Sequence, residues 1–334
     1  MNKQPFISVI IPVYNGEKFL PSCLEALVSG SYRDYELIVV DDCSTDRSIE
    51  ISREKGAQVL KTSRQSGPGG ARNLGAQHAQ GEVLFFVDAD VVVKHDTLER
   101  VAANFKDHPE IASVFGSYDD EPAEKNFISQ YKNLFHRFVH QQARIEAETF
   151  WAGCGAIRRD VFLAVNGFDA ERYPRPAIED IELGYRMRSQ GHRILLDKQL
   201  QAKHLKRWTL KSMLYADIFC RAVPWSMLIF ESKGMVNDLN LQTTDRISAG
   251  LLGLSLLLLP FAVLIPQLLL LVVVLLGMIP ILNHKLYRFF YHHKGLAFAI
   301  LSFPLHLLYY LYSAATFVLC WFSYSLFHKK AQKA

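Results

Sequence analysis

Two aspartates end an apolar run in the segment Phe85-Phe-Val-Asp-Ala-Asp90. Placing the carboxylates of Asp88 and Asp90 at the end of a buried strand costs free energy unless something compensates their charge. A divalent cation that bridges two phosphates supplies this compensation, because Mg²⁺ or Mn²⁺ takes oxygen ligands from a few carboxylates and from the substrate. Such a cation also makes a diphosphate a better leaving group. An Asp-X-Asp triplet is common by chance, so its significance depends on the strands beside it.

A second pair of acids, Asp41 and Asp42, ends another apolar run, and Pro12-Val-Tyr14 ends the first run of the chain. Ligands of an open α/β sheet bind at the carboxyl ends of its strands. An aromatic ring beside carboxylate acceptors suits a nucleobase that carries N–H donors. Alternatively, the acids only begin a helix, since Ser and Asp cap helices well.

A glycine-rich segment, Gly67-Pro-Gly-Gly-Ala-Arg-Asn73, opens a predicted helix. Around Gly70 the backbone N–H groups can approach a phosphate, and a helix N-terminus favours negative charge. Arg72 adds a formal positive charge. The alternative is a flexible connection without a ligand.

Two acids, Glu179 and Asp180, open a later helix. A carboxylate there can act as a general base that removes the proton of an attacking hydroxyl. The alternative is complementation of the helix dipole, which favours acids in a first turn.

The segment His204-Leu-Lys-Arg207-Trp208 combines three further candidates. Arg207 can hold a diphosphate with two hydrogen bonds, and Trp208 can stack on a sugar ring. His204 can serve as a third metal ligand. The alternative is a basic patch close to a membrane with an interfacial tryptophan.

The elements that position these residues alternate between strands and helices. Apolar runs predict strands at residues 6–13, 36–41, 58–61, 83–88 and 112–118. Amphipathic stretches predict helices between them at 18–27, 46–55, 71–79 and 96–105. This order predicts an α/β fold with a mainly parallel, doubly wound sheet. Farther along we predict helices at 126–147 and 179–190 and strands at 150–157 and 193–197.

The bulk composition excludes some classes of protein. The chain has 37 basic and 33 acidic residues, so its charge gives no sign of nucleic-acid binding. The five cysteines are scattered, which indicates reduced thiols rather than a disulfide framework. The N-terminus lacks a small-residue cleavage site, so we expect no signal peptide and a catalytic domain that stays cytoplasmic.

The last quarter of the chain is almost wholly apolar, which predicts a transmembrane region at 246–327. We expect about three spans, at 247–263, 266–282 and 296–326. Three spans would place the basic residues 283–294 on the cytoplasmic side, as the positive-inside rule prefers, whereas two spans would reverse this. Before them, residues 209–245 read as interfacial or amphipathic helices. A buried helix of the catalytic domain is the alternative for 208–231.

Taken in order along the chain, these motifs resemble those of family 2 glycosyltransferases with the GT-A fold. The resemblance rests on Ser8–Asn15, Val40–Asp46, Gly70–Asn73, Asp88–Asp90, Trp151–Ala156, Gly167–Asp169, Glu179–Asp180 and His204–Trp208, within a predicted catalytic domain at 1–208. The resemblance implies a nucleoside-diphosphate sugar donor, a divalent metal (Mg²⁺ or Mn²⁺) and inversion at the anomeric carbon.

The resemblance also implies roles for individual residues. Asp180 is the expected base, with Glu179 beside it, and Asp42 is expected to touch the nucleobase. The expected metal ligands are Asp88, Asp90 and His204. Donor binding is expected of Pro12, Tyr14, Asp41, Asp42, Gly70, Arg72, Asp88, Ala89, Arg207 and Trp208. Processive polysaccharide synthases of this family carry Gln where this chain has His204, which weakens the processive interpretation.

The expected function is transfer of a sugar, from UDP rather than GDP, to a hydroxyl of a membrane lipid or lipid-linked saccharide. A hydroxyl requires a base, whereas an ionised lipid phosphate does not. Transfer to a polyprenyl phosphate, processive synthesis and a non-enzymatic nucleotide-sugar-binding scaffold are the alternatives. We expect an integral protein of a bacterial-type inner membrane that serves synthesis of cell-envelope glycans or glycolipids.

Overall fold

The computed structural model describes residues 4–232 and 242–331. Part of the predicted interfacial segment 209–245, namely 233–241, lies outside the described residues. The chain separates into two compact units, Met1–Thr209 and Leu210–Ala334.

The first unit is built on one nine-stranded sheet. Its strands are β1 (Ile7–Val13), β2 (Tyr35–Asp41), β3 (Gln58–Lys61), β4 (Val83–Val87), β5 (Val91–Val93), β6 (Ile111–Tyr118), β7 (Glu146–Ala147), β8 (Cys154–Arg158) and β9 (Arg193–His204). Their spatial order is β3-β2-β1-β4-β8-β6-β9-β5, and β7 pairs with β9.

The helices of this unit connect the strands and cover the sheet. They are α1 (Leu20–Val28), α2 (Ser48–Glu54), α3 (Gly67–His78), α4 (Thr97–Asp107), α5 (Phe127–Gln142), α6 (Arg159–Ala164) and α7 (Glu179–Ser189). The strands predicted before residue 118 occur at their predicted positions.

The N-terminal half of the sheet is parallel. β1 pairs in parallel with β2 on one side and with β4 on the other. All five residues of β4 are buried, as expected for a strand that is covered on both faces. Because β2, β1 and β4 are neighbours, the segments that follow them emerge at one edge of the sheet.

The other half of the sheet is mixed. β8 runs antiparallel to both β4 and β6, and β5 runs antiparallel to β9. The α/β, mainly parallel prediction is confirmed, but the strict alternation of strand and helix is interrupted where β5 follows β4 directly, and again where β8 follows β7. β9 also continues to His204, seven residues beyond the predicted end at 197, and His204 pairs with Val91, directly after Asp90.

Aromatic packing fixes β4 against the segment that precedes α7. The Phe86 ring lies 5.4 Å from that of Phe162 and 5.3 Å from that of Phe168. Both Phe85 and Phe86 are fully buried, and burial of each such side chain contributes roughly 1.5–3 kcal/mol. On the other side, a Cβ at Gly75 of α3 would lie 2.5 Å from the Ile10 side chain. This close approach seats α3 on β1.

The second unit consists of apolar helices. α8 (Leu210–Asp217) continues through a π-helical turn, Ile218–Ala222, into α9 (Val223–Glu231). α10 (Thr243–Leu258) is extended by a 3₁₀ turn, Leu259–Val263, and is followed by α11 (Gln267–Leu282) and α12 (His284–Ala331). Gly295, with φ of 83°, interrupts the helical backbone of α12. The helical backbone of α12 therefore breaks at this glycine.

Three helices of the described chain are long and apolar enough to cross a membrane: Leu210–Glu231, Thr243–Val263 and His284–Leu326. The set differs from the predicted one, although the number agrees. The predicted span 266–282 corresponds to α11, which at 16 residues is about 24 Å long, shorter than a hydrocarbon core of about 30 Å. Conversely, Leu210–Glu231, which we predicted to be interfacial, has the length of a span.

Candidate active site

The loops after β1 and β2 are joined by hydrogen bonds. Asn15 has φ of 51°, and its side-chain oxygen accepts a hydrogen bond from the Thr45 N–H at 2.8 Å. The Asn15 N–H donates to Ser44 Oγ at 2.9 Å. Beside this junction Pro12 is half-buried, whereas Tyr14 is 52% exposed. Tyr14 therefore presents an aromatic face to solvent at the end of β1.

Asp41 and Asp42 are both buried and hydrogen-bonded. Asp41 accepts from the Ser44 N–H at 3.2 Å, which forms a tight turn after β2. Asp42 Oδ1 accepts from the Thr62 hydroxyl at 2.9 Å and from the Ser66 N–H at 2.8 Å, and its Oδ2 accepts from the Gly67 N–H at 2.8 Å. The predicted contact of Asp42 with a nucleobase stays a prediction.

The N-terminus of α3, where the sequence predicts a phosphate contact, already has a carboxylate of the chain beside it, and the predicted contact with a phosphate stays a prediction. The first N–H of the helix, that of Gly67, already donates to the Asp42 carboxylate. Gly67 has φ of 74°, and a Cβ there would lie 2.6 Å from the Pro174 carbonyl oxygen. A Cβ at Gly70 would lie 2.6 Å from Ser66. The glycines thus permit close packing, and the anion at the N-terminus is a carboxylate of the chain itself.

Arg72 lies at the centre of the site rather than on its surface. Its side chain is 5% exposed. One guanidinium nitrogen donates to Asp88 Oδ1 at 2.6 Å, and the other terminal nitrogen donates to Glu179 Oε1 at 3.1 Å. The Phe168 ring lies 5.4 Å from the guanidinium carbon. Arg72 therefore joins the acids that follow β4 to those that begin α7.

The acids after β4 lie where the sequence predicts. The Asp88 side chain is 35% exposed, and Asp90 and Ala89 are half-buried. Asp90 Oδ2 lies 3.4 Å from His204 Nε2. Burial of Asp90 acts to raise its pKa, but the charge and hydrogen bond of His204 outweigh this and lower it.

His204 is held from several sides. Its Nδ1 lies 2.9 Å from Asn133 Oδ1, and its ring stacks on Tyr118 with centroids 4.7 Å apart. Because Nε2 faces Asp90, this ring has both nitrogens directed at polar partners. Among the residues that the structure describes, no group of three or more His, Cys, Asp or Glu side chains has the arrangement of a metal site. The predicted trio Asp88, Asp90 and His204 therefore does not form a closed ligand set.

A metal site that is completed by a bound substrate needs fewer ligands from the protein. Mg²⁺ is usually bound by one or two carboxylates together with substrate phosphates. Asp88 and Asp90 meet this requirement, since both carboxylates are accessible at the carboxyl end of β4. Their residue types fit a divalent cation held jointly with a diphosphate.

Asp180 and Glu179 differ in their surroundings, although they are adjacent. Glu179 is 5% exposed; its Oε1 accepts from Arg72 and its Oε2 accepts from the Ala177 N–H at 3.0 Å. Asp180 is half-buried, and its Oδ2 accepts from the Ala152 N–H at 3.1 Å. Burial, and then the charge of Glu179, raises the pKa of Asp180 to about 7. A base of this pKa is half ionised near neutral pH, which suits proton transfer.

The two remaining predicted residues lie at the end of the first unit. Arg207 is exposed. Trp208 is 5% exposed, and its backbone N–H donates to Ser129 Oγ at 2.7 Å. The Lys206 ammonium lies 4.4 Å from the centroid of the Trp208 ring. The buried ring is not a surface anchor, which disagrees with the interfacial alternative for this tryptophan.

Several residues that shape the site were not identified from the sequence. Asn133 on α5 orients His204, and Ala152 supplies the N–H that holds Asp180. The Asn73 side chain holds α3 against the backbone of Phe168. It accepts a hydrogen bond from the Phe168 N–H at 2.9 Å and donates one to the Phe168 carbonyl at 2.7 Å. The motifs that contain Ala152 and Phe168 support the family resemblance, but the sequence alone assigns no role to either residue.

Residues 8–165 match the family described as Glycosyl transferase family 2. The match covers most of the first unit, including every strand through β8. It confirms the predicted resemblance, and the apolar helices expected to follow the domain are present.

Characterised and uncharacterised bacterial proteins are similar over part of the chain. An uncharacterized glycosyltransferase of Haemophilus influenzae is 38% identical over 119 residues, which is 34% of this chain and 47% of that protein. The poly(ribitol-phosphate) beta-N-acetylglucosaminyltransferase TarS of Staphylococcus aureus is 37% identical over 108 residues, 30% of this chain and 19% of TarS. The matched stretch thus spans less than half the length of these relatives.

One solved structure is similar over nearly the whole chain. It is the mannosyltransferase PcManGT of Pyrobaculum calidifontis in complex with GDP-Man and Mn²⁺, with a TM-score of 0.56 and 15% sequence identity. The similarity covers 95% of this chain and 88% of that one. At this identity it supports the fold alone.

Proposed function

We propose that this chain, whose residues 8–165 match Glycosyl transferase family 2, transfers a sugar, with inversion, from a nucleoside diphosphate to a hydroxyl of a membrane lipid or lipid-linked saccharide. The observation that carries the proposal is the pairing of two acidic groups around Arg72. Asp88 lies on one side of the guanidinium, and Glu179, next to Asp180, lies on the other. One group suits a donor diphosphate and the other suits an acceptor.

The donor side is the edge of the sheet where β1, β2 and β4 end. Tyr14 offers an exposed aromatic face for a base, and Asp88 and Asp90 offer carboxylate oxygens. A divalent cation held by these two carboxylates would neutralise negative charge on the diphosphate and make it a better leaving group. We propose a UDP-sugar as the donor; the similarity to TarS, which is named as a poly(ribitol-phosphate) beta-N-acetylglucosaminyltransferase, supports a sugar donor of this kind.

The acceptor side is the start of α7. Asp180 is half-buried, so an acceptor hydroxyl can reach it, and its raised pKa makes it basic enough to remove a proton near neutral pH. In the proposed step the hydroxyl oxygen forms a bond to the anomeric carbon as its proton moves to Asp180. The bond from that carbon to the diphosphate breaks, and the nucleoside diphosphate leaves with the electron pair. Attack opposite to the leaving group inverts the configuration.

The charges around Asp180 favour a neutral acceptor. Glu179 lies next to it, and the nearby cation Arg72 is already shared between Glu179 and Asp88. An acceptor phosphate would bring a further negative charge toward these carboxylates, which a hydroxyl does not. Like charges that approach without a compensating cation repel each other, most strongly where water is excluded.

The apolar second unit supports a membrane-bound acceptor. Three of its helices are long and apolar enough to span a bilayer. We propose an integral membrane protein with its catalytic domain on the cytoplasmic side, where nucleotide sugars are made, and a role in assembling cell-envelope glycans or glycolipids.

A donor and acceptor screen on the full chain tests this function. Detergent-solubilised protein is incubated with UDP- and GDP-sugars, with and without Mn²⁺, and with either a lipid-linked saccharide or a polyprenyl phosphate. We expect nucleotide release that requires the cation and the saccharide acceptor, and a product that resists mild acid. Asp180→Asn serves as the matched inactive control.

An acid-labile product formed only from polyprenyl phosphate would overturn the hydroxyl acceptor. Absence of nucleotide release from every donor in the panel would contradict the glycosyltransferase function itself.

A further inference from the structure

Arg72 is placed differently from a residue that binds a donor. A phosphate ligand requires guanidinium N–H groups that face the solvent-filled cleft. Here the side chain is 5% exposed, and both terminal nitrogens donate to carboxylates of the chain itself. The aromatic face of Phe168 lies 5.4 Å from the guanidinium carbon. A diphosphate would have to displace one of these buried ion pairs to reach Arg72.

The contacts of Arg72 lead directly to the acid proposed as the base. Glu179 Oε1 accepts from Arg72 at 3.1 Å, and Glu179 Oε2 accepts from the Ala177 N–H at 3.0 Å. Both oxygens of Glu179 are therefore used, and its backbone position at the start of α7 is fixed from two sides. Asp180 is the next residue, so its carboxylate is positioned by the same contacts. The Ala152 N–H holds it from the opposite side at 3.1 Å.

The partners of Arg72 are far apart in the sequence, which makes the link specific to the folded state. Arg72 and Glu179 are separated by 107 positions, and Arg72 and Asp88 by 16. A buried cation between two carboxylates is costly unless all its partners are in place. The planar guanidinium can serve two carboxylates at once, whereas a lysine ammonium is a single point charge. The site thus requires arginine, not simply positive charge.

We propose that Arg72 and Glu179 act as positioning residues, which together hold Asp180 in the orientation that accepts the proton of the acceptor hydroxyl. Arg72 acts through Glu179 and does not bind the diphosphate. This inference rests on the proposed function, because it assigns a role within the same transfer reaction.

The test separates a role in proton transfer from a role in donor binding. Steady-state kinetics of transfer and the dissociation constant of UDP with Mn²⁺ are measured for the wild type, Arg72→Lys, Glu179→Gln and the double variant. For Arg72→Lys we expect kcat to fall roughly ten- to hundredfold, part of the 10²–10⁴-fold that a general base supplies. We expect the UDP dissociation constant to change less than about threefold, since the lysine ammonium keeps a positive charge beside Asp88 and the side chain makes no contact of its own with the donor.

The double variant tests whether the two residues act as a unit. If Arg72 acts through Glu179, the loss of kcat in the double variant will be close to the larger of the two single losses. Losses that multiply would show independent roles and overturn the proposal. If the UDP dissociation constant rises tenfold or more in Arg72→Lys while kcat is unchanged, Arg72 binds the donor and the proposal is overturned.

Arg186 supplies a matched control on α7, the helix that also carries Glu179 and Asp180. It makes a two-point ion pair with Glu182 at 2.6 and 2.8 Å and donates to the Gly167 carbonyl at 2.6 Å. Arg186→Lys therefore breaks a comparable pair that has no contact with Asp180. We expect it to lower thermal stability and to leave kcat within about twofold of the wild type, because its effect is structural.

Equal losses of kcat in Arg186→Lys and Arg72→Lys would show a general effect of weakening α7 and overturn the positioning role. Failure of the proposed function can be distinguished from failure of the positioning role. A wild type without transfer activity would contradict the function before any variant is compared. If Arg72→Lys does not fold, Glu179→Gln carries the same test, with a fall in kcat at an unchanged UDP dissociation constant as the expected result.

Discussion

Both units of the chain bury polar side chains, but they do so with different chemistry. In the first unit the buried groups are ions: Arg72 lies between the carboxylates of Asp88 and Glu179. In the second unit, Tyr310 donates to Asn283 at 3.1 Å, and Asn283 donates to Ser248 at 3.0 Å. These groups are an amide and two hydroxyls that join α10, α11 and α12, and the Asp245 carboxylate beside them accepts from Tyr310 at 3.1 Å.

The difference indicates what each network is for. Burying an ion costs much more free energy than burying a hydroxyl, and a well-packed apolar replacement is often as stable. The charged network is therefore poorly explained by stability alone, which supports a role in chemistry. Hydrogen bonds between polar side chains contribute, together with close packing, to the association of apolar helices in membranes. Variants of the two networks should accordingly separate activity from stability.

The largest effect is expected from Asp180→Asn. It removes the proposed base, so transfer should fall by about 10²–10⁴-fold, measured as sugar incorporation per molecule of folded protein. The UDP dissociation constant should stay close to that of the wild type, because the donor contacts are on the other side of Arg72.

The same variant should not be less stable at pH 8. The pKa of Asp180 is raised from 3.8 to about 7 on folding, so stability falls as the pH rises between these two values and stays lower above pH 7. The amide removes this penalty, which predicts a melting temperature at pH 8 equal to or above that of the wild type. Normal turnover by Asp180→Asn would show that another group is the base.

The pH dependence of the wild type gives a smaller but specific effect. Asp180 must be ionised to accept a proton, so kcat/KM should rise about tenfold per pH unit below 7 and level off above it. The profile is measured between pH 5 and 9 at saturating Mn²⁺. A flat profile across neutral pH would favour an acceptor that is already ionised.

Glu179→Gln should shift the pH profile of kcat/KM to lower pH. The charge of Glu179 raises the pKa of Asp180, second to burial. Removing the charge lowers this pKa, so the acid limb of kcat/KM should move to lower pH, by roughly one unit or less. An acid limb that moves to higher pH would contradict the assignment of this limb to Asp180.

The smallest effect on activity is expected in the second unit. Tyr310→Phe deletes the hydroxyl that donates to Asp245 and Asn283, both at 3.1 Å. Interhelical hydrogen bonds in membranes contribute about 0.6 kcal/mol on average, so stability should fall by about 0.5–2 kcal/mol. Unfolding in detergent measures the loss, and kcat of the folded fraction should be unchanged. A loss of kcat larger than tenfold would show that the hydrogen bonds of Tyr310 also serve catalysis.

The parallel part of the sheet could be predicted because its signals are local. The buried runs that became β1, β2 and β4 each carry their apolar residues consecutively, and the acids at their ends mark where they stop. The positions of Asp88 and Asp90 follow from this pattern. The position of Asp180 follows from the acids that begin α7.

Contacts between distant segments could not be predicted in this way. The sequence around Arg72 suggests a phosphate site, and only the fold reveals that Glu179, 107 positions away, occupies one guanidinium nitrogen. β9 was predicted too short, because Asp197, Lys198 and Gln199 interrupt its apolar pattern, although pairing with β6 and β5 carries the strand on to His204. β5 has three residues, too few for a periodic signal.

The role of Asp88 and Asp90 is tested most directly by the Mn²⁺ dependence of nucleotide-sugar turnover in the wild type and in the double variant Asp88→Ala/Asp90→Ala. We expect turnover by the wild type to rise with Mn²⁺ to saturation and to be abolished by a chelator. We expect the double variant to lose at least a hundredfold in turnover and to show no response to Mn²⁺, because the metal-assisted departure of the diphosphate is lost. A double variant with wild-type turnover and the same requirement for Mn²⁺ would contradict this role.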